Sequence, residues 1–401
     1  MVDDNLRSGS SIVKLEVVVG PLQGIKVIEI AGLGPAPVCG MLLADMGAEV
    51  ILIQRKSRGT ANITDAVTNS KYAIPNRGKK SIALDLKDPS AVEIVLDLIA
   101  DADALIEGFR PGVMERLGLG PDICMVKNPR LLYGRMTGWG QHGPLAQAAG
   151  HDINYIALSG ALYYSGHRRE APFAPPSLVG DVGGGSMVLT MGILAGIINA
   201  KATGKGQVID AAITDGSALM TSLLYSFHQA GSWSKERGDN IIDSASPWYD
   251  TYECADGHYI TLGSLEPQFY SLLLEKCGLS DDPVFANQFN KSDWPQAKDK
   301  IITLFKSRTR AEWCELMEGT DVCFAPVLDF DEAAAHPHNR ERETFVELNG
   351  VVQPAPAPKF SVTPSTISSA PPQEGEHTEA ILKSAGYKCD HIDMLRTREV
   401  I

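Results

Sequence analysis

A chain of 401 residues, 44% apolar and 21% charged, holds enough apolar surface for a substantial core and fits two domains. Its net charge of −13 comes with no compensating basic tail, which argues against nucleic acid and anionic membrane surfaces as partners. Seven dispersed cysteines, without a Cys-x-x-Cys pair, read as reduced thiols of a soluble intracellular protein, and no metal-ligand cluster is visible.

The first twenty residues carry Asp3 and Asp4, and Glu16 interrupts their short apolar run, a pattern unlike a secretory signal or an acid-poor mitochondrial presequence. The last four residues, Arg398-Glu399-Val400-Ile401, differ from a Ser-Lys-Leu type of address. A strand is expected at 25–30, then a Gly/Pro-rich turn from Gly32 to Pro37, then a helix closed by Gly47 and a second strand at 50–53, together a βαβ unit. Gly32 and Gly34 match the start of a dinucleotide-binding turn, but Pro37 takes the place of its third glycine. After the second strand, where an NAD enzyme holds a ribose-binding acid, stands Gln54-Arg55. Arg55 suits a phosphate, or is simply a solubilising arginine.

Asn76-Arg77-Gly78-Lys79-Lys80 precedes a strand that runs into Leu84, and Glu107-Gly108-Phe109-Arg110-Pro111-Gly112 ends another, with Arg116 one helical turn on. Ligands of open α/β sheets gather at the carboxyl ends of the strands, so Arg55 and Arg110 are expected to face one crevice, where arginine favours bidentate phosphate contacts.

A strand at 131–136 leads through the glycine-rich loop Thr137-Gly138-Trp139-Gly140 to Gly150-His151-Asp152-Ile153-Asn154-Tyr155, after which apolar residues recur at helical spacing. A second segment, Gly180-Asp181-Val182-Gly183-Gly184-Gly185, precedes an apolar run at 187–200, too short to span a bilayer and read as a core helix. His151 and Asp181 each stand at an expected helix start, beside free N–H donors that suit an oxyanion and hold a carboxylate ionised. By themselves they fit both a pair of acid–base groups and two ordinary helix-start residues. With a further strand at 208–212, strands alternating with helices imply a large, mostly parallel, doubly wound α/β domain.

Residues 216–249 read as a helical linker. A hairpin turned at Asp256-Gly257 opens a smaller mixed α+β domain at 250–335, with helices near 267–277, 295–306 and 310–318. The Pro/Ser-rich stretch at 350–375 reads as an extended connector, and a helical pattern returns at 376–385.

Taken in order, Gly20-Pro21-Leu22, the motif from Glu107 to Gly112, the motif from Gly150 to Tyr155, Gly180-Asp181, Gly204-Lys205-Gly206-Gln207 and Gly375-Glu376-His377-Thr378 resemble the family III CoA-transferase superfamily over nearly the whole chain. The position of Asp181 is shared with acyl-CoA:carboxylate CoA-transferases of that superfamily, where it is the nucleophile. His151 and Glu266, the latter in Leu265-Glu266-Pro267-Gln268-Phe269-Tyr270, resemble instead the alpha-methylacyl-CoA racemase branch. Two departures are extra length between Lys56 and Ser81, and Leu52 where some relatives carry a second arginine.

The resemblance implies an interlocked homodimer in which the large domain combines residues 1–215 with the returning segment 336–401. Its sites would lie where the large domain of one subunit meets the small domain of the other, joining Glu266 to His151 and Asp181. By matched position, CoA would contact Arg55, Leu84, Asp85, Leu86, Lys87, Gly108, Phe109, Arg110 and Arg116, with the thioester over Gly150, Asp152, Ile153, Asn154 and Tyr155.

The implied reaction is epimerisation of a 2-methylacyl-CoA by C2 deprotonation and reprotonation through an enolate. His151 would serve one face of the carbon and Asp181, supported by Glu266, the other. No metal or redox cofactor is expected, CoA being part of the substrate. The alternatives are a CoA-transferase with Asp181 as nucleophile and, third, a non-catalytic acyl-CoA-binding scaffold. Branched fatty acyl, bile-acid and 2-arylpropanoyl chains all present the same C2 hydrogen, and cytoplasm, mitochondrion and peroxisome all remain open.

Overall fold

The computed structural model describes residues 20–56 and 70–401. The expectations for the amino-terminal leader and for most of the extra length after Lys56 fall on residues outside these.

Six parallel strands, β1 (Lys26–Ile30), β2 (Glu49–Arg55), β3 (Lys79–Leu84), β4 (Ala104–Glu107), β5 (Leu132–Thr137) and β6 (Gln207–Ala212), form one sheet in the order β3-β2-β1-β4-β5-β6. The Val/Ile-rich runs of its central strands are buried on both faces, as a parallel sheet covered by helices requires. Side chains alternate between the faces. Ile28 and Ile30 pack with α2 (Pro89–Ile99), whereas Val27 packs with α1 (Pro35–Asp45). The strand order reverses between β1 and β4, so the crevice of this fold opens beyond their carboxyl ends.

The end of the chain returns to this domain. Ile381, Leu382, Ile392 and Leu395, from helices Thr378–Ser384 and Cys389–Thr397, join the core beside α2. The His377 N–H donates to Ser81 O at 2.9 Å and the Gly375 N–H to Ser81 Oγ at 2.8 Å, which covers the open edge of β3. The second of these helices lies beyond the pattern read in the sequence.

The connector expected at 350–375 also differs. It begins inside a hairpin of β10 (Phe345–Leu348) and β11 (Val351–Pro354), turned at Asn349 (φ 52°) and Gly350 (φ 75°). Asn-Gly tolerates the two left-handed conformations of such a turn, a signal masked by the prolines that follow.

A separate core, from Trp248 to Val322, belongs to the antiparallel sheet β7 (Tyr249–Glu253), β8 (Tyr259–Gly263) and β9 (Phe324–Pro326) with helices Pro267–Cys277, Trp294–Phe305 and Arg310–Met317. All seven cysteines are free thiols. One continuous helical stretch, Leu178–Thr203, is 26 residues long and contains an 18-residue window of mean hydropathy 1.6, long and apolar enough to cross a bilayer, contrary to the shorter run read in the sequence. One face of it nevertheless packs into the sheet, where Leu189, Ile193 and Ile197 meet Val27, Ile106 and Leu132.

Candidate functional site

His151 adopts an extended backbone and caps α3 (Asp152–Leu158), and its N–H donates to Asn154 Oδ1 at 3.0 Å. The approach to this helix is anchored by Tyr155. Its ring meets Trp139 edge-on at 4.8 Å between centroids, and its hydroxyl donates to Gly150 O. The ring fills space that a side chain at Gly138 or Gly150 would occupy.

Asp181 stands at a helix start, as expected, but in the first turn of a π-helical segment, Leu178–Met187, rather than of an α-helix. Ser177 precedes it with φ 57°, and the Val182 N–H donates to Ser177 O at 3.0 Å. The glycines after Asp181 are themselves helical. A Cβ on Gly184 would stand 2.7 Å from the Ser217 nitrogen, so the absence of a side chain lets this segment lie directly against helix Ile213–Met220.

The two segments meet through Asp152. Its buried side chain, 9% exposed as a residue, accepts the Asp181 N–H on Oδ1 at 2.8 Å. A Cβ on Gly180 would stand 2.3 Å from that oxygen, so the contact needs glycine there. Burial raises the pKa of the half-buried Asp181 carboxyl, and the Asp152 charge raises it further. A hydrogen bond with Ser177 and the charge of His151 oppose these effects. Burial and a like charge thus outweigh the ionising helix start expected from the sequence. The charge of Asp181 also raises the pKa of the Tyr155 hydroxyl, and that of Arg110 lowers it.

Gly34 lies beside Asp181, a Cβ there falling 3.8 Å from Asp181 Oδ2. Pro35 and Pro37, within the first turn of α1, remove two N–H groups that a pyrophosphate would use. The turn after β1 therefore supports Asp181 rather than a dinucleotide.

The expected CoA-binding residues spread along the carboxyl edge of the sheet. Arg55, exposed at the end of β2, is in register with Leu84 at the end of β3. The Leu84 side chain is in the core, and the Asp85 N–H donates to Val400 O. Leu86 packs partly on that core and Lys87 is exposed. Gly108, Phe109 and Arg110 follow β4, and Arg116 is exposed on the short helix Val113–Arg116. Ile153 and Asn154 are exposed on α3.

A network that sequence reading missed fixes the loop after β4. Buried Glu107 accepts the Phe109 N–H at 2.7 Å and Arg135 Nε at 3.0 Å, while Arg135 Nη1 donates to Glu115 at 2.8 Å. Burial pushes the Glu107 carboxyl up to about 7. Glu107 and Arg135 meet because β4 and β5 pair in register.

Glu266 caps helix Pro267–Cys277, exposed in the smaller body. Among the described residues no contact joins it to His151 or Asp181 within one chain, and no group of three His, Cys, Asp or Glu residues is placed to hold a metal.

With this geometry in hand, the family model for CoA-transferase family III matches residues 22–378. The chain is 42% identical to the alpha-methylacyl-CoA racemases of Mus musculus and Homo sapiens, over 95% of this chain and 97% of each of theirs. The crystal structure of a CAIB/BAIF family protein from Brucella suis aligns with TM-score 0.77 at 26% identity, covering 92% of this chain and 100% of that one.

Proposed function

The chain belongs to CoA-transferase family III, and from that premise we propose that it epimerises 2-methylacyl-CoA thioesters at C2. The observation that carries this reading is the meeting of a histidine, a carboxyl of raised pKa and a helix start at one point beyond the sheet.

The thioester carbonyl sits at the start of α3, where the Asp152 N–H donates to its oxygen. One of His151 and Asp181 removes the C2 proton, and the C–H electron pair moves into the enolate double bond. The other group returns a proton to the opposite face, the pair collapses back onto C2, and the epimer is formed. Losing one oxyanion donor of this kind typically costs about 2.7–4 kcal/mol. Burial and Asp152 suit Asp181 to this task, because a carboxyl of raised pKa holds a proton in the half-cycle where it is the acid. CoA lies along the carboxyl edge, its phosphates on Arg55, Arg110 and Arg116 and its remaining contacts on residues 84–87 and 108–109. No cofactor is required beyond these groups.

The working form in this proposal is the interlocked homodimer, with Glu266 of the partner subunit beside Asp181. Apolar side chains left exposed support it: Met191 is 57% and Ile198 72% exposed on the core helix, and Leu219 and Leu223 are exposed nearby. Coexpressing Asp181→Asn with Glu266→Gln chains tests it. Mixed dimers keep one site with both native residues and are expected to recover activity that neither variant shows alone; absence of recovery contradicts the shared site.

Incubating one epimer of a 2-methylacyl-CoA with the protein in heavy water tests the reaction. Epimer formation with deuterium at C2 is expected. New acyl-CoA formed from an added carboxylate, with an acyl-Asp181 anhydride trapped by hydroxylamine, would instead identify a CoA-transferase.

A further inference from the structure

Asp152 begins α3 directly after His151, a place where an aspartate ordinarily serves the helix start. Its carboxylate does something else. Oδ1 reaches across to the other segment and accepts the backbone N–H of Asp181 at 2.8 Å, a hydrogen bond that spans 29 positions of sequence. The residue is buried, and Gly180, whose Cβ would collide with Oδ1 at 2.3 Å, is the residue that lets the two segments approach so closely.

We propose that Asp152 is the positioning residue of this site, its carboxylate locking the Asp181 segment onto the helix that carries His151. The inference rests on the racemase reading above and adds to it a role for the Asp152 side chain, distinct from the oxyanion contact of its backbone. Two consequences follow from one bond. Geometrically, the N–H of Asp181 belongs to a π-helical first turn, where it has no regular α-helical partner, and Asp152 supplies one. The Asp181 carboxylate is thereby set at a fixed distance from the histidine one residue before Asp152.

Electrostatically, a carboxylate is held against a carboxyl that must carry a proton in half of the catalytic cycle. The groups acting on Asp181 are Asp152 and His151 at the start of α3 and Ser177 on the preceding turn, with Gly34 before α1 beside it; Tyr155 feels the charges of both Asp181 and Arg110. Asp152 is the anionic group among them. Its charge favours the protonated form of Asp181, and a neutral replacement relaxes that bias.

Asp152→Asn and Asp152→Ala separate the two effects. Asparagine keeps an oxygen acceptor for the Asp181 N–H and removes the charge; alanine removes both. The measurement is C2 deuterium exchange and epimerisation of a 2-methylacyl-CoA from pH 5 to 9, with circular dichroism to check the fold. For Asp152→Asn, the acid limb of kcat/KM is expected to move to lower pH, because Asp181 then loses its proton more readily. For Asp152→Ala, kcat is expected to fall about 100-fold with KM little changed, the size associated with a small misplacement of a reacting group.

An acid limb in Asp152→Asn that coincides with the native one overturns the proposal, as does an Asp152→Ala enzyme with native kcat. If the alanine variant does not fold, the asparagine profile decides. Failure of the racemase reading is recognised separately, because the native enzyme would then exchange no C2 hydrogen at any pH.

Discussion

In the large domain, carboxylates in the core and the carboxyl at the site keep different company. Deep in the core, Asp45 receives a bidentate guanidinium from Arg77, at 3.1 Å and 2.6 Å, and Arg77 donates further to Gln353 Oε1 and Pro354 O. Glu29 and Lys79, both 0% exposed, likewise pair at 2.7 Å. At the site, no Lys or Arg pairs with Asp181 among the described residues, and the raising effect of burial and of the Asp152 charge outweighs the opposing charge of His151. Burial raises the pKa of Asp45, Glu29 and Asp181 alike, but in the core a bonded cation opposes that and fixes structure, whereas at the site a like charge adds to it. The site keeps one carboxyl uncomfortable, and a group in that state exchanges protons readily.

Substitutions on the two sides should therefore behave differently. The largest effect is expected for Asp181→Asn, which removes the proton-transfer group and should lower epimerisation by about 10²–10⁴-fold. Its stability to urea should be unchanged or higher, because a like-charge contact is relieved. A native turnover rate in this variant would break the contrast. Arg77→Ala leaves Asp45 buried and unpaired, and should cost about 3–5 kcal/mol of unfolding free energy in urea titrations. Because Arg77 also holds β11 through Gln353 and Pro354, that loss should release the hairpin, visible as faster hydrogen exchange at 345–354.

Glu107 falls between the two cases: paired with Arg135, yet pushed by burial from 4.5 to about 7. In the unfolded chain it loses its proton near 4.5, in the folded chain only near 7. Its contribution to stability is therefore complete below pH 4.5 and declines as pH rises to about 7, by up to about 3 kcal/mol. Comparing urea midpoints of the native protein and Glu107→Gln between pH 5 and 8 checks this; parallel curves would contradict it. The smallest effect is expected for Asp88→Ala, which removes the side-chain cap of α2 at Ser90 and should cost about 1 kcal/mol without altering turnover.

Much of the frame was legible before the structure. Val/Ile runs, the Gly47 stop and the Asp256-Gly257 turn each carry their conformation in local chemistry, so the parallel sheet and the smaller antiparallel one could be read in order. The helical form of residues 178–187 could not, because a run of glycines has poor helix propensity; it depends on packing against a distant helix. Within the site, His151 and Asp181 stood out by residue type. The Asp152 side chain did not, because an aspartate at a helix start has an ordinary local explanation and its real partner lies far along the chain. The Glu107–Arg135 pair was hidden for the same reason, since register between strands is a tertiary property.

The claim at the centre of this account is that two groups on opposite faces of C2 exchange its hydrogen. Each epimer of a 2-methylacyl-CoA should be followed separately in heavy water at early times, with deuterium measured in both recovered substrate and new epimer. Deuterium is expected in the newly formed epimer from either starting side, with recovered substrate still largely unlabelled. Deuterium accumulating in recovered substrate without epimer, or entering neither species, would contradict it.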